Sequence, residues 1–307
     1  VADWVLRAPV ALIAFNRPQT TRRVFAEIAR ARPRKLYVIA DGPRRNRPAD
    51  AEQCAQVRRI VSEVNWPCEV ETEFAEANLG CRQRISTGLD WLFARAEEAI
   101  ILEDDCLPDP TFFPFADELL ERFREDDRVM HICGANFQFG RSRGDASYYF
   151  SKYPHVWGWA SWRRAWRAYD VRMVQWPALR TSGWLDGQAA GAAERRYWQR
   201  MFDAAHSGRL DTWDYQWAFS CWVRDGLSVI PNVNLVSNIG FGLSATHTGG
   251  ADLYADLPTQ PIEFPLAHPG SVARHAEADA FTARSMYTTS MMARAARRLR
   301  GVLGWRP

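Results

Sequence analysis

No apolar run in this 307-residue sequence approaches the ~18 residues that a membrane-spanning helix needs. The opening residues also lack the charged and apolar regions of a secretory leader. Cysteines number six and lie singly at positions 54, 68, 81, 106, 133 and 221, with no CxxC pair and no short-range framework. Free, mostly buried thiols in a reducing compartment are therefore expected, and a cytoplasmic location with them. Six histidines and six cysteines show no tight zinc spacing. A formal charge of only +3, with no Lys/Arg run interleaved with stacking aromatics, argues against a nucleic-acid partner. No internal repeat is evident.

The composition, 47% hydrophobic and 24% charged, is that of an ordinary globular chain with a sizeable core. Fourteen tryptophans, many of them between 157 and 222, suit either core filling or stacking on sugar rings. Along the first hundred residues, apolar runs alternate with amphipathic stretches. "VALIAF" (10–15), "KLYVIADG" (35–42), the alternating "CEVETEF" (68–74) and "AIILEDD" (99–105) read as strands. Between them, Val24, Phe25 and Ile28, then Cys54, Val57, Ile60, Val61 and Val64, then Ile85, Leu89, Leu92 and Phe93 fall at helical spacing. This order predicts an α/β fold with a doubly wound, mostly parallel sheet, in which ligands bind beyond the carboxyl ends of the strands. Asn16, Arg17, Asp41 and the acids Glu103, Asp104 and Asp105 all lie at such ends, so one sheet edge should gather them.

Three adjacent like charges after a buried strand call for water or a cation. Asp109 and Pro110 already supply a cap and first-turn proline for the next helix, "PTFFPFADELLERF" (110–123). The acids are then spare. Hard oxygen donors at this place suit Mg²⁺ or Mn²⁺ bridging to phosphate, because such an ion takes one or two carboxylates and leaves other positions to the ligand.

Past residue 129, "VMHICGA" reads as a strand, "LDTWDYQWAFSCWVRDG" as a helix after an Asp/Thr cap, and "LSVIPNVNLVSNIGFG" as extended. Two motif matches are set aside. "GRSRG" (140–144) fits GxSxG, but the following "DASYYF" looks extended where a nucleophile elbow needs a helix. "GFGLSA" (240–245) fits GxGxxA without a βαβ unit around it.

Seven segments, in order, resemble the GT-A glycosyltransferases, and in particular the N-acetylglucosaminyltransferase I type and bacterial polysaccharide-cluster (glycosyltransferase family 2-like) relatives. They are "PVALIAFNRP", "YVIADGPR", "NLGCRQRISTGLDWLF", "IILEDDCLPDPTFF", "YPHVWGWASW", "TWDYQW" and "GFGLSATHT", and the resemblance covers about residues 8–250. It implies a GT-A fold over 8–275, with a single Rossmann-like, mostly parallel sheet. A nucleotide-binding half (about 8–137) is fused to an acceptor-side half (about 138–275), and a basic helix or tail follows at 276–307. The implied activity is metal-dependent, inverting transfer of a sugar from a nucleotide-diphosphate donor, UDP favoured, to a glycan hydroxyl in bacterial surface polysaccharide or glycoconjugate synthesis.

Carried over position by position, the resemblance makes Asp105 the direct ligand of Mn²⁺ or Mg²⁺. Asp104 falls near the ribose, Glu103 near the donor sugar and Asp41 at the base edge, with Phe15, Asn16, Arg17 and Arg82 along the nucleotide. Asp214 becomes the general base that takes the acceptor's proton. The metal stabilises the departing diphosphate, so no acid is needed there. Thr246 and His247 fall on the closing loop at the phosphates, His247 as a metal ligand or phosphate donor. Trp157, Gly158, Trp159 and Trp213 become sugar contacts. Bland readings stand beside these: Asp214 or Asp211 as a helix cap, the tryptophans as core. A nucleotidyltransferase or a non-catalytic sugar-binding or scaffold protein on the same fold are the alternatives. Residues 290–307, with five arginines and no acid, read either as a solvated basic helix or as a peripheral contact at the inner membrane face, sensible for a lipid-linked acceptor.

Overall fold

The structure is a computed structural model and describes residues 4–240, 254 and 256–287. Its first four strands are β1 (Val10–Ala14), β2 (Lys35–Ala40), β3 (Glu69–Phe74) and β4 (Glu98–Glu103), connected by helices α1 (Pro18–Ala31), α2 (Ala49–Val61) and α3 (Cys81–Phe93). There follow β5 (Cys106–Pro108), α4 (Phe112–Arg122), β6 (Val129–Cys133), β7 (Tyr148–Ser151) and β8 (Trp159–Trp162). Short helices α5 (Arg163–Trp166), α6 (Trp176–Thr181) and α7 (Trp184–Gln188) lead to α8 (Ala192–His206) and α9 (Asp214–Val223). Strands β9 (Leu227–Pro231) and β10 (Val236–Asn238), α10 (Ala276–Thr282) and a π-helical turn at Ala283–Tyr287 complete the described chain.

Eight strands form one sheet in the order β3-β2-β1-β4-β8-β6-β9-β7, and β5 and β10 pair separately. The fold is thus mixed α/β, a large mostly parallel sheet flanked by helices. β1 pairs in parallel with β2 (Val10↔Leu36) and β4 (Val10↔Ile100). With a neighbour on each edge and helices on each face, β1 must be apolar at every position, and it is VALIA, buried throughout. β3 lies at the sheet edge, consistent with its alternating and more exposed EVETEF. Two strands depart from the expected parallel run: β8 is antiparallel to both β4 and β6, and β7 is antiparallel to β9.

Alternate residues of β1 feed two cores. Val10 and Leu12 join Val24, Phe25 and Ile28 of α1, Ile60 and Val61 of α2, and Phe115, Leu119 and Leu120 of α4. Ala11 and Ile13 join Leu89 and Leu92 of α3 and the aromatic helices α8 and α9 on the opposite face. Each fully buried Val, Ile or Phe here contributes about 1.5–3 kcal/mol. The reason α4 starts late is local. Asp109 accepts from the Thr111 backbone N–H (2.9 Å) and hydroxyl (2.6 Å), closing a turn of its own, so the helix opens at Phe112 behind Thr111 instead of behind Asp109 and Pro110.

The junction of the two halves is tight. Gly158, just before β8, has φ +61°, and an added Cβ would lie 2.6 Å from Val236 Cγ2. Its carbonyl accepts from Gly134 N–H at 2.6 Å. A left-handed non-glycine residue costs about 1–2 kcal/mol. Gly158→Ala is therefore expected to lower unfolding free energy by about that amount, read as a shifted urea midpoint at constant slope; an unmoved midpoint would refute the constraint.

Packing also continues past 276, where the sequence predicts a basic helix or tail. Asp279 of α10 is 1% exposed and accepts from Ser151 Oγ (2.5 Å), while Gln138 Nε2 donates to Thr282 Oγ1 (2.9 Å). α10 is therefore part of the folded body, and residues 290–307 lie outside the described residues. No described helix is long and apolar enough to cross a membrane.

Candidate functional site

Because β1, β2 and β4 run in parallel, their carboxyl ends share one edge, and the polar residues following them meet there. Pro18 at the first turn of α1 presets the helix start, and Arg17 just before it turns its guanidinium onto the acid turn after β4. Arg17 Nη2 pairs with Asp104 Oδ1 at 3.0 Å, and Nη1 pairs with Asp105 Oδ2. Phe15 N–H donates to Asp104 Oδ2 at 2.9 Å. Part of the repulsion in the triplet is thus relieved by a cation of the chain's own. Burial works against Arg17's charge, yet Asp104, Asp105 and Glu103 overcome it and hold its pKa above the ordinary value.

One guanidinium faces three carboxyls, and the shortfall shows in their protonation. Desolvation, then Asp105, lifts the Glu103 carboxyl to about 8, with Arg17 pulling the other way. Desolvation likewise lifts Asp104 to about 6 against the pull of Arg17. Asp214 of α9 adds to the rise at Glu103, so acids from both halves of the chain sense one another. Cys81, at the start of α3, lies between them: burial and then Glu103, Asp214 and Asp211 push its thiol far up, so it is held as neutral SH.

Asp41, after β2, is 5% exposed, and both of its oxygens are taken. Oδ1 accepts from Gly42 N–H (2.8 Å) and Leu79 N–H (2.9 Å), and Oδ2 from Asn78 Nδ2 (2.8 Å) and Gly80 N–H (3.2 Å). Four donors fill a carboxylate's lone pairs, so Asp41 holds the 78–80 turn. Asp211 takes over one residue later, accepting from Cys81 N–H (3.1 Å) and Arg82 N–H (3.0 Å). It therefore caps α3 from 130 residues away, not α9 as the bland sequence reading had it. Gly80, at φ +82°, admits it; a Cβ there would sit 2.8 Å from Asp211 Oδ2. Arg82 itself extends toward Gly208 on the same loop, whose Cβ would lie 3.5 Å from Arg82 Nη1.

Asp214 opens α9 with its carboxylate bonded by the Thr212 hydroxyl. It is half-buried, and a helix N-terminus favours its ionised form. The small β5–β10 sheet pins the segment that follows: Ile239 N–H donates to the Asp105 carbonyl at 2.8 Å, and a Cβ on Gly240 would collide with Asp105 Oδ2. Thr246 and His247 lie outside the described residues.

The tryptophans divide. Trp157 is partly buried beside the site, whereas Trp159 (0% exposed) and Trp213 (2%) stack on each other at 5.5 Å inside the core. Those two serve packing, a correction to their expected place as sugar contacts. The sequence reading also missed a pair beside Phe15. Arg44 binds Asp50 through Nε (2.6 Å) and Nη2 (3.0 Å), Asn16 Nδ2 donates to Asp50 at 2.9 Å, and the Arg44 guanidinium lies 5.3 Å from the Phe15 ring centre. The acid in "RPAD", in the first turn of α2, is the signal that could have found it.

A hard divalent cation fits this donor set by its chemistry: oxygen ligands only, and more negative charge than Arg17 offsets. Among the described residues no three His, Cys, Asp or Glu side chains are grouped to hold an ion unaided.

No family model and no curated protein matches the chain. Among solved structures, it is similar to the mannosyltransferase PcManGT of Pyrobaculum calidifontis, in complex with GDP-Man and Mn²⁺. The identity is 14% and the TM-score 0.41, over 71% of this chain and 70% of that one. It is also similar to TarS 1–349 of S. aureus, at 10% identity and TM-score 0.38, over 53% of this chain and 49% of that one.

Proposed function

We propose that this protein is a metal-dependent, inverting glycosyltransferase that moves a sugar from a nucleotide-diphosphate donor, UDP favoured, to a hydroxyl of a glycan. The observation that supports it most is the meeting of the β4 acid turn with Asp214, two halves of the chain supplying a charge-dense oxygen cluster and a separate carboxylate at one sheet edge. Bound there, Mn²⁺ or Mg²⁺ would supply Lewis-acid stabilisation of the leaving diphosphate, with Asp105 as the residue to hold it and His247 as a further ligand.

The chain's own residues do the rest. Phe15 and Asn16 line the nucleotide side, propped by Arg44 and Asp50, and Asp41 shapes the adjoining turn. Arg17 keeps Asp104 and Asp105 oriented toward ribose and metal, Glu103 faces the donor sugar, and Arg82 reaches the donor, with Thr246, outside the described residues, as a further hydroxyl donor to it. Trp157 and Gly158 wall the acceptor side. Asp214 accepts the hydroxyl proton as that oxygen bonds to the anomeric carbon. The bond from carbon to diphosphate breaks with its electron pair leaving on phosphate oxygen, so configuration inverts. The chain would work in the cytoplasm, and a lipid-linked acceptor would bring it to the inner membrane face.

Titration calorimetry with UDP-sugars and GDP-sugars in Mn²⁺ buffer tests this reading. Asp105→Asn is expected to weaken donor binding about 10–100-fold, and EDTA should weaken the wild type to the same level. Donor affinity that is indifferent to both changes would remove the metal role.

A further inference from the structure

Beyond the acid cluster, a line of aromatic rings leaves the site and ends at two arginines. It begins at Trp157 beside Gly158. Phe137, 3% exposed, meets Trp157 edge-on at 5.1 Å and Tyr254 edge-on at 5.5 Å. Tyr254 lies 5.8 Å from Phe139, and Phe139 lies 6.4 Å from Phe281 of α10. Arg141 and Arg143 place their guanidinium groups 4.5 and 5.5 Å from the Phe281 ring centre. The line is anchored to the site at its near end, because Asp256 N–H, two residues beyond Tyr254, donates to the Asn238 carbonyl at the end of β10, next to the Asp105 turn.

Two features mark this line as more than packing. Phe139 is 41% exposed with φ +50°, a left-handed backbone that a bulky residue rarely adopts. Second, neither Arg141 nor Arg143 is ion-paired with any described residue. Arg143 donates Nε to the neutral Gln138 Oε1 (2.8 Å), and the polar contact of the Arg141 side chain is a long one, 3.5 Å, to the Gln138 carbonyl. Beyond Arg143 opens a cavity of about 530 Å³ between β7 and residues 267–275, lined by Asp145, His268, Arg274 and His275; Arg274 is already paired with Asp279, and His268 lies 3.4 Å from Glu118.

We propose that this ridge is a distal acceptor subsite for an acidic oligosaccharide, one bearing carboxylate or phosphate groups along its chain. The exposed ring of Phe139, in line with Tyr254 and Trp157, would stack on the apolar face of a sugar. The two guanidinium forks would take the acidic substituents bidentately. Phe137, buried beneath, fixes the orientation of Trp157 and Tyr254 in advance, which lowers the ordering cost of binding. Arg141 and Arg143, without an ion-pair partner among the described residues, favour acidic over neutral glycans, and continuity with Gly158 makes the occupant the non-reacting part of the acceptor. The proposal rests on the transferase reading for the word acceptor alone.

The test is retention of the labelled full chain on immobilised oligosaccharides that share a backbone and differ only in being neutral, uronate-bearing or phosphate-bearing. Wild type is expected to retain the acidic members at least about tenfold more strongly than the neutral one, since a charged hydrogen bond contributes about 1.5–3 kcal/mol. The double variant R141E/R143E should lose that preference, Phe139→Ala should weaken retention of all members, and Arg23→Glu on the remote α1 should change nothing. Thermal melts confirm that each variant is folded. Equal retention of neutral and acidic members, an intact preference in R141E/R143E, or no retention at all would overturn the proposal. Retention of acidic glycans by a chain that transfers no sugar would leave the subsite standing and remove the transferase reading. Transfer with equal kcat/KM on neutral and acidic acceptors, unchanged in R141E/R143E, would do the reverse.

Discussion

Replacing Asp214 by alanine is expected to lower sugar transfer by about 10²–10⁴-fold, the usual contribution of a positioned general base, while donor affinity stays within about twofold. The residue opens α9, is held by the Thr212 hydroxyl and lies close enough to the acid turn to raise the Glu103 pKa. On the proposed reading, removing its carboxylate takes away the proton acceptor and leaves the pairs of Arg17 with Asp104 and Asp105 in place. Asp214→Asn keeps the shape and should fall as far as alanine, because an amide does not take the proton. Thr212→Val, which leaves the base present but unsteadied, should fall between these variants and wild type. Steady-state kinetics beside calorimetry separates the two quantities; unchanged kcat in Asp214→Asn would mean that the proton goes elsewhere.

A second large effect concerns acid. His131 of β6 is fully buried and satisfied only as a neutral ring. Its Nε2 contacts the His155 carbonyl at 2.9 Å, and its Nδ1 accepts from Trp217 Nε1–H at 3.1 Å. Trp159 stacks on its face at 5.0 Å. Burial holds His131 down to about 3 and His155, under His131's further influence, to about 3 as well. An unfolded chain binds these protons near 6.5, so each histidine's contribution is fully present above that value and is lost progressively as pH falls toward 3. The sign follows because the unfolded state holds more protons in this window. Glu103 and Asp104 act oppositely, since their raised values let the folded state take up protons first, and a wild-type profile alone mixes the two.

Comparison of wild type with His155→Phe removes the shared carboxylate part. Relative to wild type, the variant should gain about 2–3 kcal/mol between pH 7.5 and 4.5 by linkage, read from urea unfolding at each pH. Parallel profiles would show that His155 is not held neutral.

Much of this was readable beforehand because parallel strands covered on both faces have to be apolar runs, and their crossovers have to be amphipathic. VALIA, KLYVIA and AIIL announce themselves, and with them the edge that collects Asn16, Arg17, Asp41 and Glu103. Contacts between distant residues leave no such periodic mark. That Arg17 neutralises Asp104 and Asp105, or that Asp211 rather than a local residue caps α3, depends on how two remote loops meet. The four-residue strands WASW and YYFS carry no sign of direction, so the reversal of β7 and β8 was hidden. Trp159 and Trp213 were ambiguous for a related reason: an indole that stacks on histidine in a core is spelled like one that stacks on a sugar. The late start of α4 reflects two hydrogen-bonding habits of Asp109 in competition, and the turn won.

The reversal of β8 carries a consequence for how such a protein can diversify. Ile101, near the outgoing end of β4, is matched with Trp159, the first residue of β8, so the chain enters the sheet from the side on which the acids leave it. Residues 152–158 are thus an inbound span that enters at the edge where the acids lie, while the proposed donor site is built from outbound ends. On the proposed reading, changes at Pro154, Val156 and Trp157, the partly exposed members of that span, can retune which molecule is modified and leave the strand register untouched, whereas Lys152, Tyr153, His155 and Gly158 are buried and fixed by packing.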